Sequence, residues 1–185
     1  MSSAARLILV RHGQAAAGWG ADLDPGLSDV GREQAAAAAA ALAPLGPLAI
    51  LTSPLQRARQ TAEPLEARWR ATAGIEPGIG EIPSPTDDLA ERTTWLGQIM
   101  RGTWDDAGPE VQAWRQHVLD TLRGQSADAV AFSHFIAINV AVGEAIGDPR
   151  VVCFLPDNGS RTTIDVAEGR LHLVERGAEA ETVVR

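Results

Sequence analysis

Three short apolar runs, LILV (7–10), LAILT (48–52) and AVAF (129–132), are separated by longer stretches whose apolar residues recur every three or four positions. Short runs that are apolar on both faces fit buried strands, and the 3.6-residue period between them fits helices. The alternation predicts an α/β domain built on a parallel sheet. A first helix is expected from Ser28, which can cap it, with Asp29 and Glu33 near its positive end and Pro44 as a stop. A second is expected after Ser53 and Pro54, with Ser53 as cap, Pro54 at the first helical position and Leu55, Ala58, Ala62, Leu65 and Trp69 on its inner stripe. Pro64 interrupts that stripe, so a bend or break is expected there.

Further along, 85–104 reads as a helix with Leu89, Leu96, Ile99 and Met100 on its apolar side, and 109–122 as another, with Val111, Trp114, Val118 and Leu122 on one face. The Pro- and Gly-rich stretch GIEPGIGEIPSP (74–85) between the second and third helices reads as a functional loop. Near the end, Thr162, Ile164 and Val166 alternate, AEGR supplies a turn around Gly169, and Leu171 and Leu173 continue the pattern, which predicts a hairpin. Fraying is expected after Gly177.

Composition narrows the class. The chain has 185 residues, 45% of them hydrophobic and 22% charged, which suits one folded domain over 1–185 and neither a disordered tail nor a membrane span. Few residues precede the first apolar run, which is too short for a signal-peptide core, so a cytoplasmic location is expected. A net charge of -8 opposes unspecific binding to nucleic acid or to an anionic membrane, so an anionic ligand must meet local positive charge. The single cysteine, Cys153, sits among apolar neighbours and reads as a buried thiol, not a nucleophile.

Three polar clusters supply that local charge, and each follows a predicted strand: Arg11-His12-Gly13 after LILV, Thr52-Ser53-Pro54 with Arg57 after LAIL, and Ser133-His134 after AVAF. In an open parallel sheet the carboxyl ends of the strands share one edge, so two histidines and two arginines converge there. Guanidinium forks and free N–H groups at helix starts make such an edge an anion site suited to phosphate. A neutral imidazole with one ring N–H tied to a carbonyl leaves its other nitrogen free to attack phosphorus. Taken one at a time, each residue has an ordinary reading: Arg57 as a helix arginine, His134 as a core histidine, Glu81 as a solvated loop glutamate. His117 and His172 fall outside the clusters and read as structural or solvent-facing. The two cluster histidines and Glu81 are scattered and match no local metal-ligand spacing, so no metal and no cofactor are expected.

These segments, RHG, LSDVGREQA, TSPLQRARQTA, Glu81 in GIGEIPSP, FSH and DNGSRTTID, occur in the order found in the histidine phosphatase superfamily, and the chain resembles its phosphoglycerate mutase-like branch. The resemblance implies that His12 takes a phosphoryl group, that Arg11, Arg57 and His134 hold the phosphoryl oxygens, and that Glu81 is the general acid. It implies a metal-independent phosphatase for small phosphorylated substrates. The expected architecture is a three-layer α/β/α sandwich around a mostly parallel sheet, with a small helical cover segment at about 82–107.

Phosphoglycerate-mutase-type transfer, a phosphohistidine phosphatase and a catalytically idle phospho-ligand-binding relative are the alternatives. Ala15 and Gly18 stand where mutase-like relatives often carry Thr and Asn, which disfavours the mutase. Glu81 favours an alkoxide leaving group over an imidazole. Phe135 stands where relatives commonly have glycine, and its side chain is expected to narrow the pocket. The oligomeric state is open, a homodimer included.

Overall fold

The computed structural model describes residues 4–181. In chain order its elements are β1 (Ala5–Arg11), α1 (Asp29–Leu42), β2 (Ala49–Thr52), α2 (Gln56–Trp69), β3 (Gly74–Ile75), α3 (Leu89–Met100), α4 (Pro109–Arg123), β4 (Ala129–Ser133), α5 (Phe135–Ile146), β5 (Arg161–Ala167) and β6 (Arg170–Glu175). Single 3₁₀ turns occur at Ala43–Leu45, Pro77–Ile79 and Trp104–Asp106. The strands form one sheet in the order β3-β2-β4-β1-β5-β6. The first four run parallel, and β5 and β6 add an antiparallel edge.

Successive side chains of a strand point to opposite faces, and here both faces are covered. Leu7 and Leu9 of β1 join Ala129 and Ala131 of β4 in a core with Val118, Leu119 and Leu122 of α4 and the apolar residues of α5. Ile8, Val10, Val130 and Phe132 face the other way, onto Ala38, Ala39 and Leu42 of α1 and Ala58, Ala62 and Leu65 of α2. The layers are therefore helix, sheet, helix, as expected. Because β1, β2 and β4 are parallel and in register (Arg11 pairs with Ser133, Thr52 with Phe132), their carboxyl ends meet at one edge.

Several local expectations change. Ser28 caps α1 as foreseen, accepting the Gly31 N–H at 3.0 Å. Ser53 does not cap α2: the helix begins at Gln56, Pro54 lies outside it, and Asp24 from the distant 13–28 loop accepts the Gln56 N–H at 2.9 Å. Pro64 does not break α2, which runs through it to Trp69. A proline inside a helix costs about 3 kcal/mol, and here the wholly buried stripe of Ala58, Ala62 and Leu65, packed on the sheet, outweighs that cost.

The third helix is shorter than its pattern. Asp88 accepts the N–H groups of Ala90 and Glu91, which sets its start, so 85–88 precede it. The loop at 74–85 contains β3, a fourth parallel strand of only two residues beside β2. The hairpin of β5 and β6 forms as predicted.

Of the segment expected to fray after Gly177, residues 178–180 are tied down, and 182–185 lie outside the described residues. Ala178 accepts the Asp157 N–H, Ala180 donates to Leu155 O, both at 2.8 Å, and the Glu179 carboxylate accepts the Leu155 N–H. Cys153 is half-buried, not fully buried. Its thiol lies 3.4 Å from Asn139 Oδ1, and desolvation pushes its pKa up. Among the described residues no helix is long and apolar enough to cross a membrane.

Candidate active site

The last residue of β1 and the residue after it, Arg11 and His12, enter a cavity of about 630 Å³ whose wall also includes Gln14, Trp19, Arg57, Glu81, Phe135 and Asp157. The backbone at this point is held from four sides. His12 donates its N–H to Ser133 O, its carbonyl accepts from Asn158 Nδ2 at 2.9 Å, the Gly13 N–H donates to Thr61 Oγ1 at 3.0 Å, and the Arg11 carbonyl accepts the Gly159 N–H. Gly13 is required by close approach, since a Cβ there would lie 2.4 Å from the Gly31 carbonyl oxygen. The clamp fixes where the His12 ring stands.

His12 Nδ1 donates to Gly13 O at 2.8 Å, and Nε2 accepts from Arg57 Nε at 3.2 Å. The carbonyl can only accept, so the ring proton belongs on Nδ1 and the Nε2 lone pair faces Arg57. Burial, followed by the nearby His134, Arg57 and Arg11, holds the His12 pKa well below its ordinary value. The ring is neutral at neutral pH, as a nitrogen nucleophile must be.

Arg57 is 2% exposed and binds three groups at once. Besides His12 it donates through Nη2 to Glu81 Oε2 at 3.2 Å, and its Nη1 lies 3.9 Å from Asp24 Oδ1. Its place on α2 is fixed by Thr61, one turn on, whose hydroxyl donates to the Arg57 carbonyl while accepting the Gly13 N–H. Thr61 thus ties the strand-end loop to the helix that carries Arg57.

Arg11 donates Nη1 to Pro156 O at 2.8 Å, and its guanidinium carbon lies 5.1 Å from the Phe135 ring centroid. Phe135 is therefore part of the cavity wall and a stacking surface for Arg11, worth about 0.5–2 kcal/mol as a cation–π pair. Burial lowers the Arg11 pKa to about 10, which leaves it charged at neutral pH, and its Nε has no hydrogen-bond partner among the described residues.

His134 follows β4 and is wholly buried, with its ring centroid 5.2 Å from that of His12. Its Nε2 lies 2.7 Å from Ser53 Oγ, and its Nδ1 faces Glu81 Oε2 at 3.5 Å without a hydrogen bond. Burial, then Arg57 and Arg11, depress its pKa well below the usual histidine value. Of the five residues expected from the sequence, Arg11, His12, Arg57 and Glu81 line this one cavity, and His134 is buried directly behind them, 3.5 Å from Glu81 Oε2 and 5.2 Å ring to ring from His12. His117 and His172 are exposed and remote from these contacts, as expected.

Sequence reasoning gave no role to Asp24, Thr61 or Asp157 and gave Ser53 a different part. Thr61 lies in the TSPLQRARQTA segment and Asp157 in DNGSRTTID, but those stretches did not announce their contacts, and nothing local marks Asp24.

A family model described as the histidine phosphatase superfamily, branch 1, matches residues 7–179. The chain belongs to that superfamily. Among curated relatives, a glucosyl-3-phosphoglycerate phosphatase of Mycolicibacterium vanbaalenii is 44% identical over 80 residues, covering 41% of this chain and 36% of that protein. One of Mycobacterium tuberculosis is 45% identical over 117 residues, covering 61% of this chain and 49% of that protein. The matched stretches thus span half or less of those relatives' length. Among solved structures, a mycobacterial hydrolase aligns over 96% of this chain and 100% of its own, at 25% identity and a TM-score of 0.72. The native mycobacterial glucosyl-3-phosphoglycerate phosphatase structure aligns over 96% and 100% at 24% identity and a TM-score of 0.69, a likeness of fold. The superfamily's α/β architecture is the one described above.

Proposed function

We propose that the protein hydrolyses phosphate monoesters through a phosphohistidine on His12, without a metal or other cofactor. The observation that carries this reading is the His12 ring: Nδ1 is tied to a backbone carbonyl and the Nε2 lone pair faces a guanidinium at a cavity wall. An incoming phosphoryl group takes over the Arg57 Nε–H, which frees Nε2 to form the N–P bond as the P–O bond to the leaving group breaks. Arg57, the unpartnered Arg11 Nε and His134 Nδ1 donate to the three phosphoryl oxygens, where charge builds in the transition state. Glu81, beside both Arg57 and His134, donates a proton to the leaving oxygen, a contribution of roughly 10²–10⁴-fold in rate. In the second step it takes a proton from the water that attacks the phosphohistidine, which releases inorganic phosphate and restores His12.

The substrate we propose is a small phosphorylated metabolite with a second anionic group, as in the phosphoglycerate derivative named for the curated relatives. The cytoplasm, where phosphorylated metabolites are held, is the proposed compartment.

The test is phosphate release from a panel of sugar phosphates, phosphorylated sugar acids, nucleotides and phosphopeptides, with chelator present. Turnover of phosphorylated sugar acids that disappears in His12→Ala is expected. Phosphate binding with no turnover on any member, or full activity in His12→Ala, overturns the proposal.

A further inference from the structure

Ser53 is wholly buried between β2 and α2 and, contrary to its reading as a helix cap, has a partner across the site. Its Oγ lies 2.7 Å from His134 Nε2 and accepts the Leu55 N–H at 3.3 Å. We propose that Ser53 is a positioning residue that fixes His134 as its Nδ1–H tautomer, so that a ring hydrogen faces Glu81 and the phosphoryl site.

The assignment follows from counting hydrogens. A hydroxyl has one hydrogen and two lone pairs. One lone pair is taken by the Leu55 N–H, and among the described residues His134 Nε2 is the only acceptor within reach of the hydroxyl hydrogen. If Ser53 donates to Nε2, the ring proton is on Nδ1, where it points toward the Glu81 carboxylate at 3.5 Å. In the other tautomer, Nε2 donates to Ser53 instead. That leaves the Ser53 hydrogen without an acceptor in a place with no water access, which is unfavourable in a buried site.

The same arrangement explains why His134 Nδ1 has no hydrogen-bond partner among the described residues. It is a donor kept for an oxygen of the ligand. His12 reaches the same tautomer by a different route, through the Gly13 carbonyl, and its ring lies tilted 5.2 Å from that of His134. His12 turns a lone pair toward Arg57, and His134 turns a hydrogen toward Glu81. The neutrality of His134, depressed in pKa by burial, keeps Nε2 able to accept.

The consequence for catalysis rests on the phosphatase reading above, but the tautomer does not, and the experiment separates them. Protein labelled with ¹⁵N-histidine is examined near neutral pH by long-range ¹H–¹⁵N correlation, with His134 assigned by its loss in His134→Asn. The expected spectrum has His134 Nδ1 protonated and Nε2 bare. A protonated Nε2, or a tautomer-averaged ring, overturns the proposal on the wild-type protein alone.

In Ser53→Ala the His134 pattern is expected to move toward the other tautomer while the His12 pattern stays. Turnover should then fall between ~10- and ~100-fold with KM near the wild-type value, by analogy with the loss of partners that orient metal-bound histidines. Ser53→Thr, which keeps the hydroxyl, should restore the wild-type pattern. An unchanged His134 tautomer in folded Ser53→Ala also overturns it. Absence of any phosphatase activity would instead remove the phosphatase reading and leave the tautomer assignment to the spectra.

Discussion

Two neutral, buried histidines make stability fall with acid in a narrow window. The folded pKa values of His12 and His134 lie well below the unfolded value near 6.5, chiefly because burial penalises the charged ring. Below about pH 6.5 the unfolded chain binds two protons that the folded chain refuses, so acid favours unfolding. The stability involved is fully present above the unfolded pKa and is lost as pH falls. Each ring that stays neutral in the folded state costs up to about 1.4 kcal/mol of stability for every pH unit below the unfolded pKa, and the two rings act together. That is a large share of the 5–15 kcal/mol typical of a domain.

Asp148, hydrogen-bonded by Arg150 and lowered to about 2, and Asp165, lowered by its hydrogen bond from Arg6, lose their contributions only as pH falls through values below this window. Urea unfolding followed by the fluorescence of the five tryptophans, at pH 7, 6 and 5, measures the effect. His12→Asn and His134→Asn should each remove about half of the pH dependence. A wild-type stability flat to within about 1 kcal/mol across this range, or a dependence that survives both substitutions, refutes the assignment of buried neutral rings.

Other consequences follow from single contacts. Glu81→Gln should slow hydrolysis of alkyl phosphates far more than of aryl phosphates, whose leaving groups need less protonation; equal slowing in a leaving-group series removes the acid role. Asn139, wholly buried, accepts the N–H groups of Cys153 and Phe154 and donates to Phe135 O, so Asn139→Ala strands two N–H groups beneath the site and should cost about 2–5 kcal/mol in urea unfolding. A loss under about 1 kcal/mol would mean that solvent already reaches them. Asp24→Ala removes the distant cap of α2 and the carboxylate beside Arg57, and should cost about 0.5–2 kcal/mol together with a rise in KM. Unchanged stability and KM would show that the 13–28 loop does not hold Arg57.

What could be read from the chain was what local pattern encodes. LILV, LAIL and AVAF are apolar on both faces because helices cover both sides of the sheet, and that same burial makes the polar residues at their ends conspicuous. The common edge of Arg11, Thr52 and Ser133 followed from parallel pairing alone. Harder to read was whatever depends on a partner far away in sequence. Ser53 looks like a helix cap until His134, 81 residues later, takes its hydroxyl, and Asp24 then supplies the cap from a loop. Pro64 looks like a break until the packed stripe around it is counted. The two-residue β3 is too short for any periodicity, and the 178–180 segment is ordered by main-chain bonds to 155–157 that no side-chain pattern announces.

The central claim is that His12 Nε2 becomes phosphorylated. Incubating wild-type protein with a ³²P-labelled phosphate monoester and quenching in alkali should trap a protein-bound label that is stable to base, lost in acid, and confined to the peptide carrying His12. His12→Ala should carry none. Phosphate release from the wild type with no trapped label at any quench time, or a label that persists in His12→Ala, would contradict the account.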